Sequence, residues 1–179
     1  QGDLATAEEL HRTAMTHAMR NAPDSLDAAR SLLNVGSVAS GRGDLAAAQR
    51  YNQAALRILA RLPTGRTIRG AVLNNLGQIA LERGETEKAL RLFERAAADI
   101  NATAPVSYMA STVELNLSEA LSAHGDVAAA REHADKALDV GARAAPGSGS
   151  TLEALIARGR LARLEGDGDL AEEYFDQAV

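Results

Sequence analysis

The sequence repeats with a period of 41 residues, and this period constrains the fold more than any other feature. A glycine recurs at that interval, as Gly2, Gly43, Gly84, Gly125 and Gly166. An acidic residue follows every one of these glycines, and alanines stand five and twelve positions after each of them. A strict period of this length predicts one elongated array in which each unit stacks on its neighbours.

Residues 73–96 show the unit most clearly. Apolar residues recur at helical spacing over 73–80 and again over 89–96, so each stretch predicts an amphipathic helix. Between them, Gly84 can adopt the left-handed backbone that ends a helix, and Glu85 suits the positive end of the next one. The unit is therefore a pair of antiparallel helices. We call the first the opening helix and the second the closing helix.

The alanine positions predict how the two helices of a pair pack. Ala89 and Ala130, five residues after their glycines, are expected where the helices touch closely, because only a small side chain permits close approach. Ala98, by its helical phase, is expected to face solvent.

Nine helices are predicted along the chain, with prolines between successive pairs at Pro23, Pro63, Pro105 and Pro146. Asp24 or Ser25 is expected to cap the second helix. The expected spans are residues 3–21, 25–41, 44–61, 67–83, 85–101, 107–123, 126–141, 151–165 and 168–179. The period is out of phase with both termini, so we expect residues 1–179 to be a single array from a larger protein, with partial first and last repeats.

These residues resemble the tetratricopeptide repeat, whose pattern combines a large apolar residue, Leu-Gly, Ala and an aromatic residue at fixed offsets. The matching residues are Leu73, Leu76, Gly77, Ala80, Ala89, Phe93 and Ala96, with Gly84 at the turn. The period exceeds the ~34 residues of the common repeat, as in the long-helix subtype found in kinesin light chains and in bacterial signalling and regulatory proteins. The resemblance implies an all-α, right-handed superhelical solenoid of stacked antiparallel helix pairs that binds proteins or peptides.

A second, polar stripe runs along the opening helices, and asparagine recurs in it as Asn34, Asn75 and Asn116. Asparagine is a weak helix former, so its recurrence at three equivalent helix positions indicates a structural or functional role. The resemblance implies that this stripe lines the concave groove and binds the backbone of an extended peptide. The candidate partner-binding residues are Arg30, Asn34, Ser37, Asn75, Gln78, Glu82, Asn116 and Glu119. The alternative is an asparagine ladder that bonds neighbouring helices. The last pair departs from the stripe, with Glu153, Ala157, Arg160 and Leu164, so we expect ligand contact to weaken there.

Composition excludes several function classes. The net charge of −5 argues against a nucleic-acid or anionic-membrane surface, and no cysteine is present for a disulfide or thiolate site. The four histidines show no metal-binding spacing, and no nucleophile elbow occurs. The run 147–151 could cradle a phosphate, but no strand precedes it and no lysine follows, so a capped turn is favoured. We therefore expect no catalytic residues, no metal and no cofactor.

Arginines form two groups, one around residues 57–69 and one on the last opening helix. Solvated faces are the simplest interpretation of both. Arg158 is anomalous, because the array otherwise has Val35, Leu76 and Leu117 at its position. Either the helix is rotated there, or the arginine stem covers apolar surface while its head lies in solvent.

Together these observations predict a cytoplasmic, non-catalytic module that binds a protein or peptide. Arginine outnumbers lysine, which occurs only at Lys88 and Lys136, and this bias is typical of GC-rich bacterial genomes. Two alternatives stay open. The array could be the sensor or regulatory arm of a bacterial ATPase, transcriptional regulator or caspase-like protease, or it could self-associate as a scaffold.

Overall fold

The computed structural model of the chain describes the backbone of residues 2–144 and 149–179, and the side chains of these residues except 2–5, 7 and 8. Within these ranges the chain forms nine helices and no strand. They are α1 (Gly2–Asn21), α2 (Leu26–Gly41), α3 (Leu45–Leu59), α4 (Arg66–Glu82), α5 (Thr86–Asn101), α6 (Tyr108–His124), α7 (Val127–Ala144), α8 (Gly149–Glu165) and α9 (Gly168–Gln177). The predicted all-α solenoid is confirmed. Ala7, Pro146 and the start of the glycine–serine run lie outside the described side chains.

The helix boundaries follow the local signals in the sequence. Ser25, and not Asp24, caps α2, because its hydroxyl accepts a hydrogen bond from the Ala28 amide at 3.1 Å. The turn glycines between the helices of a pair adopt positive φ, with Gly84 at 74° and Gly125 at 95°. This conformation is costly for any residue with a side chain, which explains why the glycine column is unbroken.

The two helices of a pair approach each other where the opening helix has no side chain. In the third pair, a Cβ atom added to Gly77 would lie 2.5 Å from Cε1 of Phe93 on α5. Phe93 is fully buried, and Ala89 and Ala96 are buried on either side of it. Phe93 therefore packs directly against the α4 backbone, which gives dense packing with few aromatic residues.

The same contact recurs with different side chains along the array. Gly159 faces Phe175 on α9 as Gly77 faces Phe93, whereas Gly36 faces the amide of Asn52. In the fourth pair the glycine position is taken by Ser118, and the aromatic position by a buried alanine. The position opposite the glycine thus accepts side chains of different size, and it is smallest where the glycine is replaced by serine.

The alanine columns confirm the predicted phase. Ala89 and Ala130 are both fully buried, as are Ala48 and Ala96, and Ala98 is exposed. Each helix pair also packs on its neighbours throughout the described ranges, including α7 on α8. Because α7 and α8 contact each other, the described residues on either side of 145–148 belong to one continuous array.

Stacking is tighter on one side of the solenoid than on the other. The opening helices contact one another, α2 with α4, α4 with α6 and α6 with α8. The closing helices α3, α5, α7 and α9 make no such contacts among the described residues. The opening helices therefore line the concave inner side, and the closing helices are spread apart on the convex outer side. None of the helices in the described ranges has an apolar stretch long enough to cross a bilayer.

Arg158 contradicts both interpretations drawn from the sequence. Its side chain is only 8% exposed, so the head is not in solvent. Val35, Leu76 and Leu117 are buried at the equivalent positions, so α8 is not rotated. Arg158 is instead a buried cation held by two closing helices, which the sequence analysis did not consider.

Three contacts hold the Arg158 guanidinium. Nε lies 2.6 Å from Oδ1 of Asp135 on α7, an ion pair that lacks hydrogen-bond alignment. Nη2 donates to the hydroxyl of Tyr174 on α9 at 3.1 Å, and Cζ lies 4.9 Å from the centroid of the same ring. Arg158 thus links α7, α8 and α9.

A second charged residue occupies a core position that the sequence analysis overlooked. Glu114 on α6 is buried where the array has Leu32, Leu73 and Leu155. Its Oε2 atom lies 2.7 Å from Nδ1 of His133 on α7. Helix α7 therefore supplies the partners of both buried charges, His133 for Glu114 and Asp135 for Arg158.

The glycine–aromatic contact predicts that an alanine substitution has opposite effects on stability at two glycines, Gly77 and Gly41. We expect Gly77→Ala to lower the free energy of unfolding by about 1–3 kcal/mol, because the new methyl group overlaps the Phe93 ring. A Cβ atom added to Gly41 would meet no other part of the protein within 4 Å. Gly41→Ala should therefore raise the free energy of unfolding by about 0.4–1 kcal/mol. Urea unfolding followed by circular dichroism measures both. Equal effects at the two sites would show that the close approach does not limit packing.

The buried arginine leads to a second prediction. Arg158→Leu restores the residue type of the array, so its stability should equal or exceed that of the parent by up to about 1–4 kcal/mol. Asp135→Ala should instead destabilise the protein by about 1–3 kcal/mol, less than for a fully buried pair because Asp135 is half exposed, since it leaves the cation buried without an anionic partner. Thermal and urea unfolding of both variants compare them directly. An unstable Arg158→Leu variant beside a normal Asp135→Ala variant would refute this account.

Candidate partner-binding surface

The concave side presents four rows of side chains, which run across the opening helices at the 41-residue spacing. In α4 the row positions are held by Ala71, Asn75, Gln78 and Glu82. Gln78 and Glu82 are exposed, and Ala71 and Asn75 are half-buried. In α4 the predicted polar stripe is therefore accessible from solvent on the inner side, whereas Asn116 of α6 is buried.

A cavity of about 890 Å³ lies on this side between α6 and α8, with α4 at its edge. Its lining is mixed, with apolar residues beside charged ones. The lining residues are Gln78, Leu115, Asn116, Ser118, Glu119, Ser122, Ala123, Glu153, Ile156, Ala157, Arg160, Leu161, Arg163 and Leu164. Its volume lies in the range of clefts that bind a small molecule or a few side chains.

The structure brings together some of the predicted residues. Gln78, Asn116 and Glu119 line the cavity. Arg30, Asn34, Ser37, Asn75 and Glu82 do not line it and follow the same face towards α2. Glu153, Ala157, Arg160 and Leu164, at the positions where the last pair departs from the stripe, also line the cavity. The weaker ligand contact expected at this pair stays a prediction.

The asparagines bond successive opening helices to one another. Nδ2 of Asn116 donates to Oδ1 of Asn74 at 2.7 Å, and both residues are buried. Nδ2 of Asn75 donates to the hydroxyl of Ser37 at 3.0 Å, in an exposed setting. These bonds support the helix-stacking interpretation for Asn116. The half-buried Asn75 still has an amide oxygen to offer a ligand.

The charged residues that line the cavity form no ion pairs with one another in the described part of the chain. Glu119 and Arg160 occupy equivalent positions on α6 and α8, and Glu153 and Arg163 lie elsewhere on its wall. The apolar part of the wall includes Ile156 and Leu164, of which Leu164 is 66% exposed. The cavity can therefore accept an apolar side chain while its rim pairs with polar groups of both signs.

The other arginine group is not a free basic patch. Arg61 pairs with Asp24 at 3.2 Å, and Arg69 binds the Asp99 carboxylate through two hydrogen bonds of 2.6 Å. The hydrogen bond to Asp99 raises the pKa of Arg69 above its ordinary value, against the opposing effect of burial. Arg69 thus joins α4 to α5, and the group lacks the concentrated positive charge that binds nucleic acid.

No catalytic or metal-binding group is evident in the described part of the chain. The histidine nearest to a carboxylate is His133, whose contact with Glu114 joins two helices within the core. No cluster of three or more potential metal ligands occurs among the described residues. The inner side therefore offers recognition by shape, hydrogen bonding and charge.

Comparison with known proteins agrees with this architecture. The family model of the tetratricopeptide repeat matches residues 1–61 and 42–99, which together cover more than half of the chain. No curated protein sequence matches the chain.

Solved structures share the fold at low sequence identity. BtubC (BKLC) from P. vanneervenii superposes with a TM-score of 0.83 at 22% identity, over 99% of this chain and 72% of BtubC. A putative kinesin light chain from Podosopora anserina with nearly identical repeats gives 0.71 at 18% identity, over 99% and 86%. The apo form of RapI gives 0.77 at 15% identity, over 99% of this chain and 48% of RapI. At these identities the likeness concerns the fold alone, and with the sequence match it shows that the chain belongs to the tetratricopeptide repeat family.

Proposed function

We propose that this array binds an extended segment of a protein partner in its concave groove and carries out no chemistry itself. Repeats of this family generally mediate protein–protein interaction. The observation that supports the proposal most directly is the cavity between α6 and α8, because it places apolar and charged groups together on the accessible inner side.

The lining indicates how such a segment would be held. An apolar side chain of the partner would contact Ile156 and Leu164, removing exposed apolar surface from water. Glu119 and Arg160 would bind polar groups on either side of it, and their opposite signs disfavour a strongly acidic or strongly basic partner. Towards α2, Asn75 and Gln78 offer amides that suit the alternating donors and acceptors of an extended backbone.

Site-specific photo-crosslinking tests the location. A photoreactive amino acid replaces Leu164 in the cavity, and a matched variant carries it at Ala98 on the outer side, both in the protein as its own cells express it. We expect a discrete protein adduct from position 164 and none from position 98. Gln78→Trp places a larger side chain in the cavity and obstructs it. It should therefore weaken binding of the captured protein by about tenfold or more, which corresponds to a loss of ~1.4 kcal/mol.

The same experiment separates the alternatives. An adduct between two copies of the chain would favour self-association. Capture from position 98 instead, or unchanged affinity after Gln78→Trp, would overturn the groove proposal.

The asparagines give a further prediction, because the structure distinguishes two of them. Asn116→Ala should lower the melting temperature, since it leaves buried Asn74 without its partner and costs about 1–3 kcal/mol. Asn75→Ala, in an exposed setting, should hardly change the melting temperature but should weaken partner binding by about 0.5–1.5 kcal/mol. Calorimetric unfolding and binding titrations of both variants are compared. A loss of stability without loss of affinity in Asn75→Ala would show that Asn75 only supports stacking.

A further inference from the structure

A second, smaller cavity opens on the outer side of the solenoid, where the closing helices are spread apart. It measures about 180 Å³ and lies between α3 and α5, above α4. Its walls are mainly apolar and include Leu56 from α3, Leu76 and Ile79 from α4, and Leu92 from α5. We call this cavity the outer crevice. It shares no lining residue with the groove cavity.

The repeat itself provides a second example of this crevice, two periods further along between α7 and α9. Position by position, Arg158 replaces Leu76, and Tyr174 replaces Leu92. The rim is equivalent too, because Arg83 donates to Gln49 at the first site, and Arg131 pairs with Glu165 at 3.0 Å at the second.

At the second site the protein fills the crevice with its own side chain. Arg158 extends beyond the reach of a leucine, and its guanidinium is buried between α7 and α9. Between α3 and α5, Leu76 is shorter, and the space beyond it is open. The fold therefore accommodates the end of one long side chain at this position, and α4 does not supply it.

We propose that the outer crevice is a second binding site, which takes one aliphatic side chain of a protein partner that carries a carboxylate next to it. The aliphatic choice follows from the walls, where Leu56, Ile79 and Leu92 offer no acceptor to a buried donor. An arginine like Arg158 would need the aromatic ring and carboxylate that Tyr174 and Asp135 provide, and Leu92 and Gln53 stand at those positions.

The neighbouring carboxylate follows from the charges at the rim. Arg83 and Lys88 line the crevice, and no carboxylate does. Lys88 is paired with Glu85, but Arg83 has the neutral amide of Gln49 as its hydrogen-bond partner. Arg83 forms no ion pair among the described residues, although its charge also acts on Glu85 at longer range, so a partner carboxylate can pair with it directly.

Methyl NMR tests the proposal on the full chain with a defined probe. The probe is a capped pentapeptide, Gly-Asp-Leu-Asp-Gly, and two matched probes carry alanine for the leucine or lysine for both aspartates. We expect saturable shifts of the Leu56, Ile79 and Leu92 methyl signals with the first probe. Affinity should be at least about tenfold lower with either matched probe, a loss that corresponds to ~1.4 kcal/mol.

Two matched variants separate this site from the groove. Gln53→Trp covers the outer crevice from an exposed position of α3, and Gln78→Trp obstructs the groove cavity from an exposed position of α4. The shifts should disappear in Gln53→Trp and persist in Gln78→Trp. Leu92→Phe, which fills the crevice from within, should also abolish the shifts of the remaining Leu56 and Ile79 signals.

The opposite outcomes are equally clear. Absence of shifts at millimolar probe, or shifts that survive in Gln53→Trp and Leu92→Phe, would overturn the outer site. Shifts confined to Leu115 and Ile156 would place the probe in the groove, which supports the groove proposal while refuting this one. Groove binding of a captured protein can fail without affecting these signals, so the two proposals are tested independently.

Discussion

Close contact between a glycine of one helix and a side chain from the next helix sets the geometry of three of the helix pairs, and a serine–alanine contact replaces it in the pair of α6 and α7. Gly77 lets the Phe93 ring lie directly against α4, and Gly159 does the same for Phe175. These contacts and the buried alanines hold the two helices of a pair close together. Because the pairs repeat every 41 residues, they stack into an array whose inner side is formed by the touching opening helices.

Much of this architecture is predictable from the sequence because the determinants are local and repeated. The turn positions require a residue that tolerates positive φ, and the closest interhelical contacts require a small side chain. The start of α2 requires a side chain that accepts a hydrogen bond from a free amide, as Ser25 does. Each signal recurs every 41 residues, so a wrong helix assignment in one repeat would have disagreed with the same signal in the other repeats. The course of the concave stripe was predictable for the same reason, since it has the same period as the core.

The departures from the pattern were not predictable, because they depend on pairs of residues that are distant in sequence. Whether Arg158 is buried depends on Asp135 and Tyr174, and nothing in the local sequence of α8 reports them. Glu114 was overlooked, although its position in a leucine column was a usable signal. The cavity between α6 and α8 depends on how several side chains leave space unfilled, which composition does not reveal. Partner choice is expected to reside in these departures, since the regular positions only maintain the fold.

Because the opening helices touch one another and the closing helices do not, the contacts between successive pairs are concentrated on the inner side. The touching opening helices form the line about which the stack bends, so a small rotation there moves the separated closing helices much further. Any bending that narrowed the inner groove would widen the gaps on the outer side, and the reverse motion would close them. The two faces are therefore linked geometrically, because the same helix pairs carry both.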